Sequence, residues 1–293
     1  HWLENIQDWN ISRQVVWGIP IPAWSKGGEF HIGEESPGEG WTKDPDTFDT
    51  WFSSGQWPFI TLGFPDSKDF KTFYPTDVME TGADLIFFWV ARMLMLGLYR
   101  TGEVPFKRVY MHGMVRDAKG QKMSKSKGNV ISPLTVSQEY GTDALRMGLV
   151  VGNTPGTDLN LDPQKIGAYK KFANKIWNIT RFVLSQERTG DIKPELKKEF
   201  DALAEDITKD IEEYRVYMAA EKLYHYIWDR FAAEIIEESK GKPEYGATLY
   251  YILENSLRLL HPFMPFVTEE IWSSMPDKKG LILVEAWPHP YSY

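Results

Sequence analysis

Up to about residue 135 the chain alternates short apolar runs with glycine and proline turns; beyond it, helical periodicity continues nearly to the end. Such a change of period confines the chain to two architectures in series, because apolar positions spaced for a helix cannot line one face of a strand. In the first part, Asp77-Val78-Met79-Glu80-Thr81-Gly82 predicts a strand ending in a glycine turn. Asp84 through Leu98 predicts a strongly apolar helix, and Val109-Tyr110-Met111-His112-Gly113 a second strand. Strand, turn, helix, strand is the rhythm of a parallel α/β sheet. Upstream, the prolines of Trp17-Gly18-Ile19-Pro20-Ile21-Pro22 favour extended backbone. Residues 25–46, rich in Gly, Glu and Pro, read as an excursion from the main fold, and a short helix fits 47–57. The second part predicts helices over 135–140, 142–150, 163–187, 195–238 with a break, 244–261 and 267–274, the last entered past Pro262 and Pro265. With Asn153-Thr154-Pro155-Gly156-Thr157-Asp158 as connector, the expected domains are 1–160, α/β, and 161–293, all-α. No internal repeat or low-complexity tract interrupts them.

A length of 293 residues allows two such domains, each with its own core. Hydrophobic content of 42% and charged content of 25% are ordinary for a soluble globular protein. No apolar run reaches the roughly 18 residues of a membrane helix, and no cleavable signal opens the chain. Cysteine is absent, which excludes disulfides and thiolate metal sites and fits a reducing cytoplasm. The six histidines show no metal-ligand spacing. A net charge of −8 argues against a globally basic nucleic-acid binder, while leaving room for a local basic patch. The chain begins at His1, inside a motif, and reads as a piece of a longer protein.

The densest chemical signal is Gly120-Gln121-Lys122-Met123-Ser124-Lys125-Ser126-Lys127-Gly128-Asn129, with Lys119 just ahead. A glycine-bounded loop carrying several ammonium groups can close on a polyphosphate, neutralise it and open again. A solvated lysine-rich turn is the plain alternative. Lys122-Met123-Ser124-Lys125-Ser126 resembles, without a mismatch, the mobile ATP loop of class I aminoacyl-tRNA synthetases.

Other segments resemble the same family. Trp2-Leu3-Glu4-Asn5-Ile6-Gln7-Asp8-Trp9, followed by Ile11-Ser12-Arg13-Gln14, is similar to the re-entry segment after the editing insertion of the large class I enzymes. Asp49-Thr50-Trp51-Phe52-Ser53-Ser54 with Trp57-Pro58-Phe59, and the run from Thr81 to Met93, resemble the valyl enzymes in particular. The run from Leu260 to Trp272 resembles the helical anticodon-binding domain of the valyl, isoleucyl and leucyl group. The matches cover nearly the whole chain, and it is identified as a member of the valyl-tRNA synthetase family. Two departures stand out. Trp17–Pro22 looks more isoleucyl than valyl, and the zinc cysteines that relatives carry around 25–46 are lacking, so no zinc is expected. Phe30-His31-Ile32-Gly33-Glu34 imitates the His-Ile-Gly-His motif, but Glu34 replaces the second histidine and the setting is wrong. The true motif is expected upstream of His1.

The resemblance implies the C-terminal half of a nucleotide-binding, Rossmann-like parallel-sheet catalytic domain, followed by a helical-bundle anticodon-binding domain. The N-terminal half and the editing domain are expected to lie outside this chain. The implied reaction joins the valine carboxylate to the α-phosphate of ATP, expelling pyrophosphate, and then transfers valine to valine tRNA, with ATP as substrate together with Mg²⁺. Negative charge builds on the phosphates in the transition state, so Lys122 and Lys125 are the catalytic candidates, Lys125 the stronger by resemblance. Met123, Ser124 and Ser126 are expected at the ATP, whereas Lys119 and Lys127 are solvated or near tRNA phosphates. Gly82 and Asp84 close a predicted strand, where ligands sit in open α/β sheets. The resemblance gives Asp84 the ribose hydroxyls, and a helix N-cap is the compatible structural alternative. His112 and Gly113 are expected by the adenine; a purely structural His112 is the other reading. Trp51, Leu85 and Trp89 are the implied walls of a small dry valine pocket, although aromatics at helical spacing are as readily plain core. Two indole walls would exclude side chains larger than valine and reject threonine poorly.

The helical half shows no catalytic constellation. Lys170, Lys171, Asn174, Lys175, Asn178 and Arg181 are candidates to meet tRNA, against a solvated helix face. The expected partners are valine tRNA, ATP, valine and the missing N-terminal half, with no membrane and a cytoplasmic location. Two alternatives remain at this point: an isoleucyl enzyme, and a chain that in isolation only binds tRNA.

Overall fold

The computed structural model describes residues 3–288. His1 and Trp2, the latter opening the re-entry segment, lie outside them. Packing separates the chain into two compact units, His1–Met111 and His112–Tyr293. The division at 160 followed composition instead.

In the first unit, β1 (Ser12–Arg13) pairs antiparallel with β5 (Thr47–Phe48). Between them, β2 (Ala23–Lys26), β3 (Glu29–Ile32) and β4 (Thr42–Lys43) form an antiparallel three-stranded ribbon in the order β3-β2-β4. The excursion of residues 25–46 is therefore an ordered hairpin with a third strand laid beside it. The helix expected over 47–57 is interrupted. Strand β5 takes its first residues, α1 (Thr50–Ser54) follows, and α2 (Trp57–Ile60) starts with Pro58 in its first turn. Asp49 accepts the Trp51 amide and so starts α1 only there. Then come α3 (Lys68–Phe73) and β6 (Thr76–Gly82). The helix expected from Asp84 is a composite: a 3₁₀ turn (Ala83–Leu85), a π-helical segment (Ile86–Ala91) and α4 (Arg92–Thr101). Strand β7 (Phe106–His112) pairs with β6. Met79, Val90, Met93 and Phe106 form the buried core beneath, with Trp89, Leu94 and Val109 packed on it.

The second unit opens with β8 (Val115–Arg116), which pairs in parallel with β9 (Leu159–Asn160). Helices α5 (Pro133–Tyr140) and α6 (Thr142–Val150) lie between them in sequence. The bundle that follows is α7 (Pro163–Leu184), α8 (Pro194–Glu212), α9 (Val216–His225), a second π-helical segment (Tyr226–Ile235), α10 (Ile236–Ser239), α11 (Gly246–Leu260) and α12 (Pro265–Ser274). The break expected within 195–238 falls at Tyr214, whose φ of 61° no helix tolerates. A single continuous core runs through the bundle, including the fully buried Phe172, Phe200, Ile207, Leu223, Phe231 and Trp272. Among the described residues no helix is long and apolar enough to cross a membrane.

Candidate active site

Each unit holds its own set of candidate residues. In the first, Gly82 ends β6, is buried, and has the φ of −64° and ψ of 141° of ordinary extended backbone. Asp84 follows in the 3₁₀ turn. Its carboxylate is exposed, and among the described residues no hydrogen bond or ion pair holds it. The capping alternative is not realised, since the turn begins at Gly82 and the π-helical segment at Leu85, neither with a side-chain cap.

Trp51, Leu85 and Trp89 are all half-buried. Trp89 donates its indole N–H to the Ser54 carbonyl at 2.9 Å and meets the Trp57 ring edge-on at 6.2 Å. Trp51 instead stacks on Phe88, with ring centroids 5.8 Å apart and planes 29° apart. Two bulky rings, neighbours in sequence, thus reach two different points on and beyond α1. A π-helical turn, wider than an α-turn, gives both of them room. Phe88 and Trp57 were not singled out by pattern, because neither falls at a period that marks a pocket.

Below these rings sits a buried charge. Asp49 is 5% exposed and accepts three bonds: from the Trp51 amide at 3.0 Å, the Trp9 indole N–H at 2.8 Å and Arg13 at 2.5 Å. Burial alone would push its carboxyl up. The Trp51 and Trp9 N–H groups and the Arg13 and Arg92 charges outweigh that and hold it below its ordinary 3.8. Arg92 lies over the Trp9 ring, 4.0 Å from its centroid, and burial lowers its pKa. Trp9, Arg13, Phe87, Ala91, Arg92 and Met95 line part of a cavity of about 610 Å³.

In the second unit the lysine loop is held at both ends and free in the middle. The Asp117 carboxylate accepts the amides of Lys119 (3.0 Å) and Gln121 (2.8 Å) and the Asn129 side-chain amide (2.9 Å). Asn129 in turn accepts the Ser124 amide at 3.0 Å and donates to the Lys122 carbonyl. These bonds hold Asp117 below its ordinary carboxylate pKa, the Asn129 bond most of all. Lys125–Lys127 form a 3₁₀ turn that ends at Gly128, whose φ of 66° favours glycine. Met123 is half-buried and packs against the bundle core, anchoring the loop by its side chain. The Ser124 and Ser126 hydroxyls lie 3.2 Å apart. Lys122, Lys125 and Lys127 are exposed, and among the described residues none of their ammonium groups is in an ion pair. Sequence reading found the lysines and missed the two residues that stitch the loop. The signal was present, since Asp and Asn are the residues that bond nearby backbone in turns.

His112, half-buried, ends β7 and already has an interaction partner. Gly113 is buried, and a Cβ there would lie 1.9 Å from the Thr157 carbonyl oxygen, so the close passage of residues 157–158 requires glycine. The adjacent Met114 amide donates to Asp158 at 2.8 Å. Of the α7 candidates, Lys170 bonds the Glu139 carbonyl and Lys175 sits 5.2 Å from the centroid of the Trp228 ring. Lys171, Asn174, Asn178 and Arg181 are exposed. His31 is exposed on the ribbon strand β3, edge-on to Trp41.

Known proteins match both parts of the sequence, and the class I match crosses the boundary between the two units. The family described as tRNA synthetases class I (I, L, M and V) matches residues 1–39 and 31–162. The anticodon-binding domain of tRNA ligase matches 194–293. Valine--tRNA ligase of Geobacillus kaustophilus is 47% identical over 98% of this chain, and that of Bacillus subtilis 45%. The chain spans 36% of the length of these curated relatives. Among solved structures, an Agrobacterium radiobacter LeuRS in ternary complex with tRNA and LeuAMS superposes with a TM-score of 0.78 at 24% identity, over 97% of this chain and 42% of that one. A Mycobacterium tuberculosis methionyl-tRNA synthetase bound by methionyl-adenylate gives 0.72 at 22% identity, over 94% and 56%. At these identities the two structures establish the fold alone. The class I match, however, runs through the first unit and the lysine loop over more than half the chain, and the chain therefore belongs to the tRNA synthetases of class I (I, L, M and V).

Proposed function

We propose that this chain is the C-terminal part of a ligase that activates valine with ATP and transfers it to valine tRNA. The observation that carries the reading is the lysine loop. Its ends are fixed by Asp117 and Asn129, while Lys122 and Lys125 present ammonium groups that no carboxylate among the described residues neutralises. The names of the relatives at 45–47% identity supply the amino acid.

In this reading Lys122 and Lys125 stabilise charge on the phosphates as the valine carboxylate oxygen attacks the α-phosphorus and pyrophosphate leaves. Ser124 and Ser126 donate from their hydroxyls and Met123 from its backbone. The free carboxylate of Asp84 accepts from ribose hydroxyls, the buried Gly82 lets the nucleotide approach the backbone, and His112 with Gly113 borders the adenine. Trp51, Leu85 and Trp89 wall the valine side chain. Mg²⁺ would arrive on the ATP phosphates. Residues 1–160 serve catalysis and 161–293 tRNA binding, with exposed groups of α7 as contacts. Such a ligase works in the cytoplasm, where tRNA is charged.

Amino-acid-dependent pyrophosphate exchange by the synthetase that carries this chain tests the proposal. Valine should support exchange at least tenfold more efficiently than isoleucine, the range expected for one methylene in an apolar pocket. The reverse preference would favour the isoleucyl reading that Trp17–Pro22 suggests. Absence of exchange with either would leave tRNA binding as the function.

A further inference from the structure

Phe88 joins α1 to the π-helical segment, yet 46% of its surface is exposed. The half that is buried is covered by specific side chains. The Phe87 ring meets it edge-on at 5.6 Å, and two further contacts tie it to Trp51. One face meets the Trp51 indole, and the Arg92 guanidinium lies 5.7 Å from its centroid. The same guanidinium covers Trp9 at 4.0 Å, Trp9 donates to Asp49, and Asp49 accepts the Trp51 amide. The contacts close on themselves: Trp51, Phe88, Arg92, Trp9, Asp49 and back to Trp51. Asp49 fixes the Trp51 backbone, whereas Phe88 is the stacking partner that fixes its indole. A ring gripped at backbone and face is confined to one orientation, which a recognition wall needs to within a fraction of an ångström.

We infer that Phe88 is a positioning residue for amino-acid selection: by stacking on Trp51 it sets the width of the valine pocket. The inference rests on the reading of Trp51 as a pocket wall. It assigns no contact between Phe88 and the amino acid. Leucine at this position would leave the indole free to swing, widening the pocket, while tyrosine would keep the stack.

The test uses the synthetase that carries this chain, comparing wild type, Phe88→Leu, Phe88→Tyr and Trp51→Ala in pyrophosphate exchange with valine and with isoleucine. Phe88→Leu should raise the ratio of kcat/KM for isoleucine to that for valine by about tenfold, chiefly through KM for valine, with kcat at saturating valine nearly kept. Phe88→Tyr should restore the wild-type ratio, and Trp51→Ala should raise it at least as far as Phe88→Leu. The thermal unfolding midpoint of all four is measured alongside, and Phe88→Leu should leave it near wild type because the ring is half exposed. If Trp51→Ala changes the ratio and Phe88→Leu does not, the positioning role is wrong and the pocket reading stands. If Trp51→Ala changes nothing, the pocket reading fails and takes this inference with it. Equal effects from Phe88→Leu and Phe88→Tyr would also overturn it, since the stack would then not be the cause.

Discussion

A lysine ammonium that no carboxylate holds can follow an anion, and among the described residues none pairs with Lys125, in a loop whose ends are tied. Charge supplied by a mobile group counts most when the phosphate is most negative, in the transition state. Lys125→Ala should therefore lower valine-dependent exchange by about 10²-fold in kcat with little change in KM for valine. Stopped-flow or exchange kinetics on the intact synthetase measure this, and near-wild-type rates would end the assignment. Gly113 makes the opposite kind of demand, set by space. A methyl group at 1.9 Å from the Thr157 carbonyl oxygen cannot be accommodated without moving backbone on one side. Gly113→Ala should cost about 3 kcal/mol, read from urea unfolding of this chain.

Elements in the helical unit are joined by caps from outside as well as by apolar faces. Helix α12 has Met264 at its N-cap, with no side-chain bond of its own. The buried Asp143, on α6, accepts instead, from the Phe266 amide at 3.2 Å and the Val267 amide at 2.7 Å. A carboxylate at a helix N-terminus satisfies orphan donors and meets the positive end of the dipole. Asp143→Ala would leave two amides without acceptors and should destabilise the unit by about 2 kcal/mol, seen as a lower urea midpoint by far-ultraviolet circular dichroism. The break between α8 and α9 is tied by a similar device. Asp210, fully buried, accepts from Arg215 at 2.9 Å and Lys222 at 2.6 Å, and Arg215 also donates its amide to the Asp210 carbonyl.

At the scale of the molecule, Asp49 in one unit and Asp210 in the other make acid stability predictable. Burial raises the Asp210 carboxyl, but the Lys222 and Arg215 bonds and charges outweigh it and hold the pKa below its ordinary 3.8. The folded chain thus binds fewer protons than the unfolded one near that value. The stabilisation is complete above pH 3.8 and is lost as pH falls through the lower folded pKa. Acid unfolding followed by tryptophan fluorescence should therefore begin only below about pH 4, and Asp210→Asn should weaken the chain at neutral pH and flatten that dependence. A second expectation concerns activity. The chain spans 36% of its valine--tRNA ligase relatives, and by itself it should not catalyse valine-dependent exchange. The phosphate site that the resemblance implies needs a His-Ile-Gly-His helix start besides the lysine loop, and the exposed His31 with Glu34 does not supply one. Calorimetry with ATP and exchange assays on the chain alone check this. Robust exchange would redirect attention to His31.

Sequence alone determined what depends on near neighbours. The amphipathic period places helix 142–150, and the structure has Thr142–Val150; the stretch Asp77 to Gly82, ending in a glycine turn, places a strand, found at Thr76–Gly82. The lysine loop was legible because its chemistry is written in adjacent residues. Only the tertiary structure decided which distant group arrives at each position. It is the passage of Thr157 that makes Gly113 obligatory, and the meeting of Trp51 with Phe88 and of Trp89 with Ser54 that accompanies a π-turn where period predicted an α-helix. Asp49 read as one letter of a motif, yet in the fold it is a buried charge shared by Trp9, Arg13 and Trp51. Propensity acts along the chain, whereas stacking, charge pairing and close approach act through space between segments whose separation in sequence carries no signal.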